Sequence, residues 1–258
     1  MIKNFPDSFR RDLRSGRRLL GSFIKTPTVH ATEILSDLGF DFVVVDEEHG
    51  PFDRWSIDML MLTTTSKGIA GIVRVADKAS ILSALDMGAT GIIAPHVDTA
   101  DHASEIVAAS KYRGGDRGCS PSPRAGRYGA LGLAEHVARS DAGVSVSVMI
   151  EHPEAIRNVD AIAAVDGIDA LFLGLGDLAV ASGELSPDAP AIKAAAREVC
   201  RAAHRHGKGL MATAPSVEAG KWLFDLGVSA FVVSSDQGLL RAAAREQREK
   251  FSTLGAKE

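Results

Sequence analysis

The sequence contains only two cysteines, and it has no excess of basic residues. Cys119 and Cys200 lie far apart and in no metal-ligand spacing, so neither a disulfide scaffold nor a zinc ribbon is supported. The formal net charge is −4, whereas a nucleic-acid-binding domain normally carries a basic surface. We therefore predict that the protein has no nucleic-acid partner.

Long apolar segments are also missing. No apolar run approaches the ~20 residues that a helix needs to cross a bilayer. The segment Met1–Arg18 is polar and rich in arginine, and it has no apolar centre of the kind found in signal peptides. These two features predict a cytoplasmic protein without a membrane partner.

The chain contains enough apolar material for a folded core. It has 258 residues, of which 45% are hydrophobic and 24% are charged, and this composition is typical of folded domains. The length suits one α/β barrel and would also fit two small domains. Because no stretch resembles a linker, we predict a single domain over residues 1–258.

Eight short apolar runs, rich in β-branched residues, alternate with amphipathic segments such as Thr28–Leu38 and Ala189–His206. Continuous apolar runs are typical of parallel strands buried on both faces, and the alternation implies right-handed βαβ units. A closed (β/α)₈ TIM barrel explains this pattern best, with an open doubly wound sheet as the alternative. The predicted strands are Leu20–Lys25, Phe40–Glu47, Gly71–Val75, Gly91–Val97, Val144–Glu151, Ala170–Gly174, Gly209–Ala212 and Ala230–Ser234.

Ionisable residues gather where the predicted strands end. The second strand ends in Asp46-Glu47-Glu48-His49, the third in Arg74 and the fifth in Glu151, and Asp177 follows the sixth. The active site of a (β/α)₈ barrel lies at the carboxyl ends of its strands. Polar turn residues would explain some of these positions, but they explain Arg74 and Glu151 poorly, because each continues an apolar run. We interpret both as functional residues.

Glu151 and Asp177 follow adjacent strands, which lie ~4.8 Å apart, so both carboxylates could reach one cation. Oxygen ligands favour Mg²⁺ or Mn²⁺ over Zn²⁺, and two protein ligands leave coordination positions open for a substrate. The alternative is that Glu151 is a surface acid and that Asp177 caps a helix.

His49 and Arg74 are the candidates for proton transfer and for binding an anion. Neighbouring carboxylates could fix the tautomer of His49 and raise its basicity, and Asp46 or Asp86 could orient its ring. Arg74 is a permanent cation with a forked set of donors, which suits a substrate carboxylate or a developing enolate oxygen.

The motifs around these residues resemble the HpcH/HpaI aldolase family, the divalent-metal pyruvate aldolases related to citrate lyase β subunits. The resemblance extends over about residues 10–250. Its most specific part is the segment Phe40-Asp41-Phe42-Val43-Val44-Val45-Asp46-Glu47-Glu48-His49-Gly50. The further matching motifs are Val73-Arg74, Ile150-Glu151 and Gly174-Leu175-Gly176-Asp177-Leu178.

The resemblance implies an aldehyde-lyase of the class II pyruvate aldolase type. Pyruvate would be chelated on Mg²⁺, Mn²⁺ or Co²⁺ held by Glu151 and Asp177, beside Arg74, Met149 and Gly176. Arg74 would stabilise the enolate. It also implies homohexamers, as trimers of dimers, whose subunits exchange the C-terminal helix.

In proton transfer, the resemblance implies that His49 acts with help from Asp46 and Asp86. The chain departs from the family pattern at Met149, where glutamine is usual, at Leu175, where proline is usual, and in the shortened 112–118 loop without prolines. His96 is an additional polar residue near the expected site. These departures concern the side of the site that would bind the second reactant.

We expect reversible cleavage of a 4-hydroxy-2-oxo acid to pyruvate and an aldehyde. A citrate-forming or other 2-oxo-acid condensing enzyme on the same scaffold is the first alternative. A Schiff-base aldolase needs a lysine at the carboxyl end of a strand, and Lys25 is the candidate. A barrel that binds a 2-oxo acid without catalysis is the last alternative.

Overall fold

The computed structural model describes residues 5–252 and 254, and its eight parallel strands close into a barrel in the order β1 to β8. The predicted single-domain (β/α)₈ fold is confirmed. The two ends of the predicted domain, residues 1–4, 253 and 255–258, lie outside the described residues. The strands are β1 (Leu19–Ile24), β2 (Phe42–Asp46), β3 (Ala70–Arg74), β4 (Gly91–Ala94), β5 (Ser145–Ile150), β6 (Ala170–Leu173), β7 (Gly209–Thr213) and β8 (Ala230–Ser235).

Helices follow the strands and surround the barrel. The sequence pattern predicts most of them, but not α1, α6 or α8, and a C-terminal helix such as α11 is implied only by the family resemblance. No helix in the described part of the chain is long and apolar enough to cross a membrane. The helices are α1 (Phe5–Arg14), α2 (His30–Asp37), α3 (Arg54–Lys67), α4 (Ser80–Asp86), α5 (Ala100–Ser110), α6 (Leu133–Gly143), α7 (Pro153–Ala164), α8 (Leu175–Ala181), α9 (Pro190–Arg205), α10 (Val217–Asp225) and α11 (Asp236–Ser252), with a 3-10 helix at Arg124–Gly129.

The strands are buried on both faces, which explains their continuous apolar sequences. One apolar cluster fills the space between strands and helices, and a second fills the barrel interior. Phe42 lies in the interior cluster against Gly21, where an added Cβ would approach its ring to 2.4 Å. Phe9 and Leu13 of α1 belong to the same cluster, so this helix closes the amino end of the barrel.

Helix α11 does not complete the outer ring in the usual way. Its first residue, Asp236, accepts hydrogen bonds from the backbone N–H groups of Lys25 and Thr26, at 2.9 and 3.0 Å. Beyond that anchor none of its side chains is buried. A groove of about 1020 Å³ remains beside α10, β1 and β8. Its apolar lining includes Leu20, Val217, Phe224, Phe231 and Val233.

Candidate active site

A buried ion pair joins the carboxyl ends of β2 and β3. The strand register places Asp46 beside Arg74, and Asp46 is fully buried. Its two oxygens accept hydrogen bonds from Arg74 Nε and Nη2, both at 2.8 Å, and Lys25 Nζ lies 2.9 Å from Oδ2. Burial alone would raise the pKa of Asp46, but the bonds from Arg74 and Lys25 hold it below its ordinary value.

Arg74 is held as a cation in the barrel mouth. Its guanidinium lies over the Phe23 ring, 4.9 Å from the centroid, and its Nη1 lies 3.3 Å from a Glu48 oxygen. Burial would lower the pKa of Arg74, but Asp46, Glu48 and Glu151 raise it above its ordinary value. Arg74 therefore stays charged, as the sequence predicts for a residue that binds an anion.

Glu48 is a site residue that the sequence reasoning does not single out, although it belongs to the acidic strand end. Its side chain is 12% exposed and lies between Arg74 and two histidines. His96 Nε2 is 2.8 Å from Oε1 of Glu48, and His49 Nε2 is 3.7 Å from Oε2. Glu48 thus links the Arg74 cation to both imidazoles.

Glu151 follows β5 and is 3% exposed. Its Oε1 accepts a hydrogen bond of 2.7 Å from the backbone N–H of His96. Its Oε2 accepts no hydrogen bond within the described chain and lies over Gly174, where an added Cβ would be 2.9 Å away. Burial raises the pKa of Glu151, and the negative charges of Asp177 and Glu48 add to that effect despite the opposing bond from His96.

Asp177 is an exposed residue in the first turn of α8. The N-cap of α8 is Gly174, and no side chain caps it, so the alternative that Asp177 caps this helix is wrong. Asp177 lines a cavity of about 650 Å³ together with Arg74, Met149 and Gly176. Two neighbouring carboxylates, one buried with a free oxygen, suit a divalent cation with oxygen ligands.

His49 lies at the same rim, with its side chain 55% exposed. Its backbone N–H donates to Asp46 Oδ1 at 3.3 Å, while its ring faces Glu48. Asp46 therefore positions the turn that carries His49 through the backbone.

The structure does not bring Asp86 to His49 within one chain. Asp86 ends α4, which runs back from the carboxyl end of β3 to the start of β4. Its carboxylate accepts a hydrogen bond of 2.9 Å from Arg117 Nη2. Because helices of a βα unit run antiparallel to the strands, Asp86 lies at the opposite end of the barrel from His49.

A second group of possible ligands lies on the same rim. Asp98, His152 and Glu154 have ligand atoms within 4.8 Å of one another, and no other such group of three is found among residues 5–252 and 254. Asp98 follows β4, and the other two residues begin α7. The group is half-buried to exposed, which makes it a rival for a cation.

A sequence profile of the HpcH/HpaI aldolase/citrate lyase family matches residues 19–221. The chain belongs to this family. It is accordingly a lyase of the aldolase type. The match spans every site residue predicted from the sequence, from Asp46 to Asp177. The 5-keto-4-deoxy-D-glucarate aldolase of Klebsiella pneumoniae subsp. pneumoniae is 31% identical over 251 residues, which is 96% of this chain and 97% of that protein.

Two solved structures extend the family relationship. The HpcH/HpaI aldolase from Desulfitobacterium hafniense DCB-2 is 25% identical, with a TM-score of 0.90, and covers 97% of this chain and 98% of that one. Citrate synthase SbnG is 26% identical, with a TM-score of 0.88, and covers 97% of this chain and 100% of that one. Proteins with this fold and similar sequence are therefore named for different condensation or cleavage reactions.

We expect the buried Asp46–Arg74 pair to contribute strongly to the stability of this aldolase-family barrel. Asp46→Asn leaves two cations without their carboxylate and should lower the free energy of unfolding by about 3 kcal/mol. Urea denaturation in EDTA measures the effect. This decrease in the free energy of unfolding should reach its full size above pH 3.8, the ordinary pKa of the carboxyl. It should become smaller as the pH falls below that value, because the pKa of Asp46 is lowered in the fold.

Asp160→Asn is the matched control. Asp160 pairs with Arg205 at 2.6 Å, but both side chains are more than half exposed. Its loss should therefore cost far less stability than the loss of Asp46 does. Equal effects of the two substitutions would show that the Asp46–Arg74 pair does not stabilise the barrel.

Proposed function

We propose that the protein catalyses reversible aldol cleavage of a 4-hydroxy-2-oxo acid to pyruvate and an aldehyde. A divalent cation, Mg²⁺, Mn²⁺ or Co²⁺, would be held by Glu151 and Asp177. The observation that carries the proposal is the free oxygen of buried Glu151, next to a second carboxylate and the fixed Arg74 cation. When bound, the cation supplies Lewis-acid chemistry that lowers the cost of placing negative charge on a substrate oxygen.

Arg74 supplies the protein's own stabilisation of that charge. Cleavage breaks the bond between C3 and C4, and its electron pair passes into an enolate on the pyruvate fragment. Asp46 holds Nε and Nη2, and the remaining Nη1 lies near the mouth, 3.3 Å from a Glu48 oxygen and 3.8 Å from Met149 Sδ. A cation fixed beforehand in this way stabilises a developing oxyanion without reorganising.

His49 is suited to move the protons of this reaction. In cleavage the 4-hydroxyl loses a proton as it becomes the aldehyde carbonyl, and C3 gains one. The ring of His49 is more than half exposed at the rim and faces Glu48. A histidine in that setting can take up a proton from the substrate or from water and return it.

The cavity leaves room for a substrate larger than pyruvate. Its volume of about 650 Å³ lies within the usual range for small-molecule sites, about 300–1,000 Å³. Arg74, Met149, Gly176 and Asp177 line the end where we expect pyruvate. Lys193 and Trp222, from α9 and α10, line the cavity as well. These helices are our candidates for contacts with the aldehyde part.

The proposal has two alternatives, a condensing enzyme and a Schiff-base aldolase. The likeness to citrate synthase SbnG supports a condensation with a second 2-oxo acid, which would use the same enolate. A Schiff-base aldolase is less well supported, because Lys25 Nζ lies 2.9 Å from the buried Asp46 carboxylate. A lysine that is engaged by a buried carboxylate is not free to attack the carbonyl carbon of a substrate.

The first test is loss of the cation ligands. Glu151→Ala or Asp177→Ala should reduce metal-dependent exchange of the pyruvate methyl protons by at least ~10³-fold, because the Lewis acid is lost. Proton NMR in D₂O measures this exchange. A parallel screen of oxaloacetate and several 4-hydroxy-2-oxo acids with Mg²⁺, Mn²⁺ and Co²⁺ detects released pyruvate.

Glu154→Gln is the matched control, because it alters a carboxylate of the rival group on the same rim and should leave exchange unchanged. Near-normal exchange in Glu151→Ala would reject the assigned ligands. Activity that survives EDTA, with borohydride trapping of pyruvate on the wild-type chain but not on Lys25→Met, would establish the Schiff-base alternative. Citrate formation without aldol cleavage would favour the condensing enzyme.

We further propose that the protein assembles as a homohexamer, a trimer of dimers in which α11 of one subunit packs into the groove of its partner. Helix α11 buries none of its own side chains, and it exposes Leu240 and Phe251. The groove beside α10, β1 and β8 has both apolar and charged residues in its lining, and Phe224 on its wall is 58% exposed. Large exposed apolar surfaces of this kind are typical of protein interfaces.

Leu240→Asp and Phe224→Asp, on the two proposed contact surfaces, should each dissociate the hexamer to smaller species, because a buried unpaired charge disfavours the interface. Sedimentation velocity measures the assembly state. Leu133→Asp alters an equally exposed leucine on α6 and should leave the assembly intact. An unchanged hexamer in the Leu240 variant would contradict exchange of α11.

A further inference from the structure

His96 follows β4 in a left-handed backbone conformation, with φ of +56°. Among non-glycine residues this region is uncommon, and asparagine, aspartate and histidine occupy it more often than others. Such a conformation persists only where surrounding contacts determine it. Packing does not supply them here, because the side chain is 70% exposed. The contacts that hold His96 must therefore be polar.

Both polar parts of His96 face carboxylates of the candidate site. Its backbone N–H donates to Glu151 Oε1 at 2.7 Å, and ring Nδ1 lies 3.2 Å from the same oxygen. Ring Nε2 lies 2.8 Å from Glu48 Oε1, and the other oxygen of Glu48 lies 3.3 Å from Arg74 Nη1. Arg74 is itself fixed by Asp46. The ring of His96 is thus tied to a rigid part of the barrel.

The two oxygens of Glu151 consequently have different surroundings. Oε1 faces His96 on the β4 side, whereas Oε2 lies over Gly174 on the β6 side, from which α8 and Asp177 continue. Gly174 permits this close approach, because an added Cβ would come within 2.4 Å of the Glu151 Cβ. The side-chain orientation of Glu151 is therefore set by His96 on one side and by the absence of a side chain at Gly174 on the other.

We infer that His96 is a positioning residue that acts through Glu151. The bond from its ring to Glu48 holds the backbone in the left-handed conformation, and the backbone N–H then holds Oε1 so that Oε2 stays available to a cation. The inference rests on the proposed cation site at Glu151 and Asp177. His96 itself is not assigned as a ligand, because both of its ring nitrogens lie against carboxylate oxygens, Nδ1 at 3.2 Å from Glu151 and Nε2 at 2.8 Å from Glu48.

The experiment compares two substitutions that both remove the ring. Alanine at position 96 should relax to a negative φ once the bond to Glu48 is lost, so the N–H leaves Glu151. Glycine adopts a positive φ at no steric cost and should keep it. We expect His96→Ala to weaken Mn²⁺ binding about tenfold or more, the range seen when groups that orient a metal ligand are lost. His96→Gly and His96→Asn should stay within about threefold of wild type.

Mn²⁺ affinity is measured by electron paramagnetic resonance and by isothermal titration calorimetry on the wild-type protein and each variant, without substrate. Tyr128→Ala and Tyr128→Gly form the matched control, because Tyr128 also has a positive φ, of 56°, but lies in the 3-10 helix. The control pair should differ in thermal stability and not in Mn²⁺ affinity. If His96→Ala fails to fold, the glycine and asparagine variants still decide the matter.

Equal weakening in His96→Gly and His96→Ala would overturn the inference and point to the ring as a ligand. Wild-type affinity in a folded His96→Ala would overturn it as well, and so would a loss of tenfold or more in His96→Gly. Failure of the proposed function gives a different result, since the wild-type protein and Glu151→Ala would then bind Mn²⁺ equally. The two ideas can therefore fail separately.

Discussion

The pairing of Asp46 with Arg74 is the interaction on which the rest of the site depends. Both charges are buried at the ends of neighbouring strands, and removing either from water is costly unless its partner is present. The parallel register of β2 and β3 provides that partner, and two hydrogen bonds of 2.8 Å fix the guanidinium plane. Lys25, Glu48 and the turn before His49 are then attached to this rigid pair.

The charged side chains around the pair support the cation site proposed above. Asp46, Glu48 and Glu151 are close to one another and to two basic side chains, Arg74 and Lys25. With Asp177 added, the acidic side chains outnumber the arginine and lysine at this rim. Burial raises the pKa of Glu151, and the negative charges of Asp177 and Glu48 add to that effect. A divalent cation at the site proposed above would offset it.

The sequence was sufficient for the barrel and for the residues at its rim, because both depend on local patterns. Buried parallel strands need continuous apolar runs, and polar residues can appear only where the runs stop. Helices α1 and α8 were not predicted, because α1 is highly charged and α8 begins directly after the predicted sixth strand, so that neither forms a separate amphipathic stretch. Helix α4 connects the end of β3 to the start of β4, and this direction alone separates Asp86 from His49 within one chain.

Contacts between side chains from distant strands could not be predicted in the same way. Glu48 stands in the predicted acidic strand end, yet its position between Arg74 and His96 depends on three strands closing around one axis. In the sequence, His96 is visible only as a polar residue that follows a strand. Its positive φ cannot be read from the sequence, apart from the general tendency of histidine to adopt it. The closure of the barrel determines the positions of both Glu48 and His96.

The mouth is built from two kinds of element, and this division bears on how one family can hold different reactions. Arg74, Glu151 and their partners sit at strand ends, which the closed sheet holds rigidly. The far side of the cavity is lined by Lys193, Trp222 and residues of the connecting loops, which tolerate change more readily than strands do. Relatives named as a 5-keto-4-deoxy-D-glucarate aldolase and as a citrate synthase share the barrel over nearly the whole chain. If the strand ends form the carbon nucleophile as proposed, a variable far side that binds the second reactant would account for that range without any change in the barrel.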